Sequence, residues 1–234
     1  VLTLNKSHDI INDGAVAIEG NQIIAVGESA EMHKRFPDMQ TMDAKGKAVM
    51  PGLINSHTHA VLLVLRGTVE DMTGDAIFGY MTPISFAMTD DERRAIARLG
   101  CLEAIRSGST TLVEPFRFLA GYAQGMVETG MRLWLGENCA DALTLKIRHG
   151  IYEYDQAFGE QFLERTISMV EKFHGAENGR VQCQISAHAP DVCSPWMLEQ
   201  LNLLAQKYSL TRTVHLAQSL GEINQIRTLS LIHI

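Results

Sequence analysis

The stretch Val49-Met50-Pro51-Gly52-Leu53-Ile54-Asn55-Ser56-His57-Thr58-His59 is where the chain changes rhythm. Residues 49–54 read as a short apolar strand, and the strand runs into a polar loop carrying two histidines one residue apart. In extended backbone, residues i and i+2 point to the same side, so both imidazoles can converge on one ion. Neutral imidazole is the commonest protein metal ligand and suits zinc, iron, nickel and copper. A bare His-x-His is a weak signal in a chain with nine histidines. What lies at the ends of the other strands decides how it is read.

Downstream, strands and helices alternate. Thr89 and Glu92 spell a capping box that opens a helix from about 90 to 107, with Ile96, Leu99, Leu102 and Ile105 as its apolar stripe and Gly108 as its stop. A strand over 109–113, a helix near 120–129 and a strand over 132–135 follow. Phe162, Leu163, Ile167, Val170 and Phe173 mark an amphipathic helix over 159–174, and residues 181–187 read as a fourth strand. Ser194-Pro195 supplies an N-cap and a first-turn proline for a helix to about Tyr208. A fifth strand over 211–216 leads to a helix starting at Gly221. Such alternation predicts an α/β fold with a parallel sheet and helical crossovers. A doubly wound sheet would gather its chemistry at one switch point beside a Gly-rich phosphate loop. No such loop occurs, and His57, His59, Glu114, Glu137, His188 and His215 fall at or past the ends of different strands. That distribution favours a (β/α)8 TIM barrel.

Upstream, Ala15–Ile18 and Ile23–Val26 flank Gly20-Asn21, a two-residue hairpin signal, and a polar stretch covers 28–40. Residues 1–50 are therefore read as the N-terminal part of a small β domain, a β-sandwich segment, and 51–234 as barrel. A barrel takes about 250 residues. The 184 that remain of 234 after the first 50 fit about five of eight strands, so the expectation is an incomplete barrel with its C-terminal portion missing. The last five residues, Ser230 to Ile234, resemble translated adapter sequence rather than native chain.

Composition narrows the function classes. With 46% hydrophobic and 20% charged residues the chain is globular, which excludes disordered and fibrous readings. Its net charge of −7 and the lack of any basic run of five argue against a nucleic-acid partner and against an anionic membrane surface. Cys101, Cys139, Cys183 and Cys193 form no Cys-x-x-Cys pair, so they read as reduced thiols of a cytoplasmic protein. Apolar runs such as 61–65 are far short of the roughly 20 residues a membrane span needs.

Several motifs together resemble the metal-dependent amidohydrolase superfamily: Pro51-Gly52-Leu53-Ile54-Asn55-Ser56-His57-Thr58-His59, Leu65-Arg66-Gly67, Gly108-Ser109-Thr110-Thr111, Gly130-Met131-Arg132, Ser186-Ala187-His188-Ala189-Pro190 and Val214-His215-Leu216-Ala217-Gln218. The branch they resemble holds triazine chlorohydrolases, S-adenosylhomocysteine deaminases and guanine-type deaminases. The resemblance implies a hydrolase acting on non-peptide C–N bonds of a small-molecule substrate. It implies one divalent metal ion, zinc or alternatively iron, that activates water to attack an sp² carbon. His57, His59 and His215 would be the metal ligands, and His188, Gln218, Ser85 and Arg132 would contact substrate. Arg132, as a strand residue, could equally pair with a carboxylate. His215 and Gln218 are the catalytic candidates. The family also needs a histidine after its sixth strand and an aspartate after its eighth, beyond the last strand read here, so this chain alone is expected to be inactive. Two-fold assembly is common in the family, which leaves a homo-oligomer open.

Two positions depart from the pattern. Gln218 stands where deaminases of this branch carry a proton-donating Glu, and an amide cannot act as an acid near neutral pH. Ser85 stands where nucleoside deaminases carry a ribose-binding Glu after Pro83-Ile84. Both argue for a ring or amide substrate other than a nucleoside. Gln218 also keeps alive a second class, a non-catalytic relative of the family. Glu222 reads as a helix N-terminal charge, and Glu114 and Glu137 either line the pocket, support it from behind, or sit in solvated loops.

Overall fold

A computed structural model describes residues 1–72 and 76–229; the last five residues, about whose origin the sequence raised a question, lie outside them. The chain divides after Leu53 into two units.

In the first unit, β1 (Gly14–Glu19) and β2 (Gln22–Glu28) pair antiparallel. The Gly20-Asn21 turn joins them as its sequence predicts, with Gly20 at φ +60°, a conformation glycine adopts without strain. The polar stretch that follows is not all loop: α1 (Ser29–Arg35) forms there and buries one residue, Met32. The Met32 side chain lies against the Cα of Gly27, close enough that a Cβ at that position would sit 3.0 Å from the Met32 methyl. One apolar anchor in a polar run is too little periodicity to mark a helix.

In chain order the remaining elements are β3 (Leu53–Asn55), a 3₁₀ turn (Ala60–Leu65), a π turn (Ile77–Met81), α2 (Thr82–Ala87), α3 (Asp90–Arg106), β4 (Ser109–Phe116), α4 (Leu119–Val127), β5 (Arg132–Cys139), α5 (Thr144–Ile147), α6 (Gln156–Phe173), β6 (Val181–Cys183), β7 (Ile185–Ala187), α7 (Pro195–Lys207), β8 (Arg212–Val214) and α8 (Leu220–Thr228). The sheet order is β3-β4-β5-β7-β8, with β6 also on β5. The pairings β4–β5, β5–β6, β5–β7 and β7–β8 are all parallel. Leu135 faces Cys183 and Asn138 faces Ser186, the same offset, so β6 and β7 are one strand interrupted at Gln184. Among the described residues, five strands joined by helical crossovers make an incomplete (β/α)8 barrel, with β3 and β8 as its edges.

The predicted caps hold these helices. Thr89 and Glu92 exchange hydrogen bonds at the start of α3, Ser194 Oγ accepts the Met197 N–H at the start of α7, and Gly108, at φ +92°, follows α3. The buried face of α3 is not the predicted one. Leu99, Leu102 and Ile105 are exposed, while Arg93, Ala97 and Cys101 are buried. The cause is close packing on the 3₁₀ turn, where a Cβ on Gly100 would lie 2.7 Å from the Ala60 carbonyl oxygen. Only small residues permit that approach, so small size outweighs hydrophobicity in choosing the face. β4 and β5 also run three and four residues further than predicted, to Phe116 and Cys139, which places Glu114 and Glu137 inside strands rather than beyond them.

Candidate metal centre

The C-terminal ends of the strands supply the site. His57 and His59 follow β3, Arg117 follows β4, Asn138 lies near the end of β5, His188 follows β7 and His215 follows β8. Together with Leu62, Ile77, Met81, Thr82, Phe116 and Gln218 these residues line a cavity of about 300 Å³.

Within it the three histidines converge. His215 Nε2 lies 3.2 Å from His57 Nε2 and 3.3 Å from His59 Nε2. The His215 ring is oriented from behind: its Nδ1–H donates to the His188 carbonyl oxygen at 2.7 Å, which also accepts the His215 backbone N–H. With the proton on Nδ1, the Nε2 lone pair faces the other two rings. One lone pair cannot serve two partners well. Nitrogens bound to one tetrahedral ion at about 2.0–2.1 Å stand about 3.3 Å apart. The three imidazoles therefore fit a single metal ion, and they are the metal-capable cluster among the described residues.

Electrostatics agree with that fit. Burial, with the neighbouring charges of His215, His57 and Arg117, pushes His59 down to about 3. Burial is also the largest cause lowering His215. Both rings stay neutral, the state in which imidazole ligates.

Buried carboxyl groups hold the loops that carry these groups. Glu114 accepts the Ala60 N–H at 2.9 Å, immediately after His59, and the Tyr122 hydroxyl at 3.3 Å. Glu137 accepts the N–H groups of Phe118 (2.5 Å) and Ala120 (2.9 Å), just after Arg117. Glu222 is in the first turn of α8, as expected, but it is fully buried and reaches back to the N–H groups of Ala217 (2.9 Å) and Gln218 (2.6 Å). That grip secures a loop in which Ala217 holds φ 58°, a conformation unusual for a residue with a Cβ. Asp141 likewise accepts both the N–H and the hydroxyl of Ser194, beyond His188. Glu114 and Glu137 thus support the site and do not line the cavity.

His188 is buried, with Nδ1 unpartnered, and burial holds it well below the usual imidazole range. Gln218 lines the cavity with its Nε2 unpartnered. Ser85 and Arg132 are not brought to the site. Ser85 is buried in α2, its hydroxyl donating to the Thr82 carbonyl at 2.7 Å. Arg132 begins β5, so it lies at the opposite end of the sheet from the histidines, exposed. A strand rises about 3.3 Å per residue, which sets Arg132 about 20 Å from the residues at that strand's other end. Arg117 and Asn138 are lining residues that sequence reasoning missed. Their signal was position, since each lies at a strand's C-terminal end, but underestimating the lengths of β4 and β5 hid it.

The chain belongs to the amidohydrolase family, whose model matches residues 48–230. A model of the imidazolonepropionase-like composite domain of bacteria matches residues 14–38. A 5'-deoxyadenosine deaminase of Methanococcus aeolicus is 28% identical over 229 residues, covering 97% of this chain and 50% of the relative. Among solved structures, E. coli guanine deaminase superposes with a TM-score of 0.74 at 21% identity, covering 95% of this chain and 50% of that one. Atrazine chlorohydrolase from Arthrobacter aurescens TC1, complexed with zinc, gives a TM-score of 0.72 at 19% identity, covering 97% and 53%. The chain spans about half the length of the curated relatives it matches.

Proposed function

We propose that this chain contributes the metal-binding half of a hydrolase that cleaves C–N bonds, acting as a deaminase on a small heterocyclic amine, with zinc held by His57, His59 and His215. The observation that carries the reading is the convergence of His57 Nε2 and His59 Nε2 on His215 Nε2, at 3.2 and 3.3 Å. A divalent ion held there supplies Lewis-acid chemistry and makes water nucleophilic near neutral pH.

The chain's own residues orient and hold. The His188 carbonyl sets the His215 tautomer, while the neutral His188 ring offers the substrate one donor and one acceptor. Leu62, Ile77, Met81 and Phe116 exclude water from the reacting ring. Gln218 holds substrate through its free amide and moves no proton, so the proton donor stands elsewhere. The named activities of relatives concern nucleosides. Gln218, and Ser85 with its hydroxyl committed to the Thr82 carbonyl, support a ring without ribose.

Zinc titration of this chain by calorimetry tests the reading. One zinc per chain, lost in His215→Asn, is expected. Zinc binding that is absent, or unchanged in His215→Asn, refutes the proposed centre.

A further inference from the structure

Among the described residues that line the cavity, Arg117 carries the only fixed charge, and none is acidic. Its side chain is buried, with the residue 5% exposed, yet among the described residues its one side-chain hydrogen bond runs from Nη1 to Thr144 Oγ1 at 3.4 Å. A guanidinium offers five N–H donors. The rings of Phe86 and Phe116, 5.5 and 6.0 Å from its Cζ, occupy part of its surroundings with carbon. The carboxylate nearest in influence, Glu137, has both oxygens engaged by the N–H groups of Phe118 and Ala120. A buried cation without a matching anion is costly, and such groups are normally paired. Arg117 lines the same cavity as His57, His59, His188 and His215, which sets it beside the centre.

The rest of the cavity describes the ligand's body. A volume of about 300 Å³ is at the small end for ligand pockets, and the walls Leu62, Ile77, Met81 and Phe116 are apolar. Thr82, Asn138, His188 and Gln218 add neutral polar groups beside the three candidate ligands.

We propose that Arg117 is the anion subsite of this pocket, taking a carboxylate borne on a small planar ring, so that the substrate class is an acidic heterocycle. The inference rests on the cavity being the substrate pocket. It departs from a neutral nucleobase, for which a buried unpaired arginine would be a liability.

Benzoate and its neutral isostere benzamide serve as probes, with binding measured by calorimetry on metal-free and zinc-loaded protein. The metal-free arm is decisive, because a carboxylate can also ligate zinc directly. There, benzoate is expected to bind about tenfold more tightly than benzamide, the gain of a charge-assisted bidentate pair. Arg117→Gln abolishes the preference, and Arg117→Lys retains part of it, since a lysine keeps the charge and loses the fork. Should the glutamine variant not fold, as judged by far-UV circular dichroism, the lysine variant decides: its preference must fall below that of the parent without vanishing. Equal binding of the probes, no measurable benzoate binding, or a preference unchanged in either variant overturns the proposal. Zinc stoichiometry measured on the same samples reports on the metal centre alone, so its failure is distinguishable from a failure at Arg117.

Discussion

Replacing Glu114 by glutamine is expected to stabilise the protein at and above neutral pH, although the carboxyl holds the turn that follows His59. Burial is the largest influence on this group and raises it from 4.5 to about 8, against the lowering effect of the Ala60 N–H and the Tyr122 hydroxyl. The folded state therefore binds a proton that the unfolded chain releases. Its contribution is fully present below about 4.5 and is lost as pH rises through about 8. The difference corresponds to roughly 3 kcal/mol at pH 7 and roughly 5 kcal/mol above pH 8. Glutamine keeps an oxygen for the Ala60 N–H and an amide for the Tyr122 oxygen, and it has no charge to desolvate. Alanine instead orphans both partners and leaves a cavity, at a cost of about 2–5 kcal/mol. Urea unfolding followed by circular dichroism at pH 5, 7 and 9 separates these outcomes. The parent should lose stability across that range, the glutamine variant should lose less, and the alanine variant should be weakest at pH 5. If glutamine costs as much as alanine at pH 7, or if its pH dependence parallels the parent's, the folded protein holds an ionised Glu114 and the expected stabilisation is refuted.

Other consequences follow from the same contacts. Gly100→Ala should destabilise by about 1–3 kcal/mol despite a helix-propensity gain of about 1, because its methyl would meet backbone at Ala60, which cannot rotate away. The same variant should weaken zinc binding in a chelator competition, since Ala60 follows His59; unaltered urea midpoint and zinc affinity would contradict the close approach. His57→Ala should lower zinc affinity by at least about a hundredfold, more than the loss of a supporting partner causes. Thr89→Ala should cost about 1 kcal/mol of stability through loss of the α3 cap, with Thr89→Ser close to neutral in the same urea assay. All four cysteines are buried, with burial pushing Cys101, Cys183 and Cys193 to about 12 and Cys139 up as well, so a thiol reagent should react slowly until urea is added. Rapid labelling of folded protein would contradict that burial.

The readable features were those whose physics is local. The Thr89–Glu92 capping box, the Ser194-Pro195 start and the Gly20-Asn21 turn each satisfy backbone groups within a few residues, so the sequence carries their whole explanation. The α3 face was misread because its neighbour, the turn at Ala60, lies 40 residues earlier and demands small side chains. Glu114 and Glu137 resisted interpretation for a related reason. A carboxylate in a strand says nothing about the N–H groups it will meet, here up to 54 residues away in sequence. Arg132 illustrates the opposite error: its place in a motif suggested a contact, and the direction of β5 puts it at the far end of the sheet.

By itself the sequence determined that strands alternate with helices and that histidines follow three of those strands; with its motifs, that is enough for the barrel and for naming His57, His59 and His215 as the candidate ligands. Periodicity and strand polarity have a fixed geometric meaning, so polar residues after successive parallel strands must gather at one end of the sheet. Only the tertiary structure decided that His57 Nε2 and His59 Nε2 lie within 3.3 Å of His215 Nε2, that buried Arg117 lines the same cavity, and that Ser85 and Arg132 do not. Those outcomes depend on where strands end and on which buried charges find partners. Both are set by contacts between segments far apart in the chain.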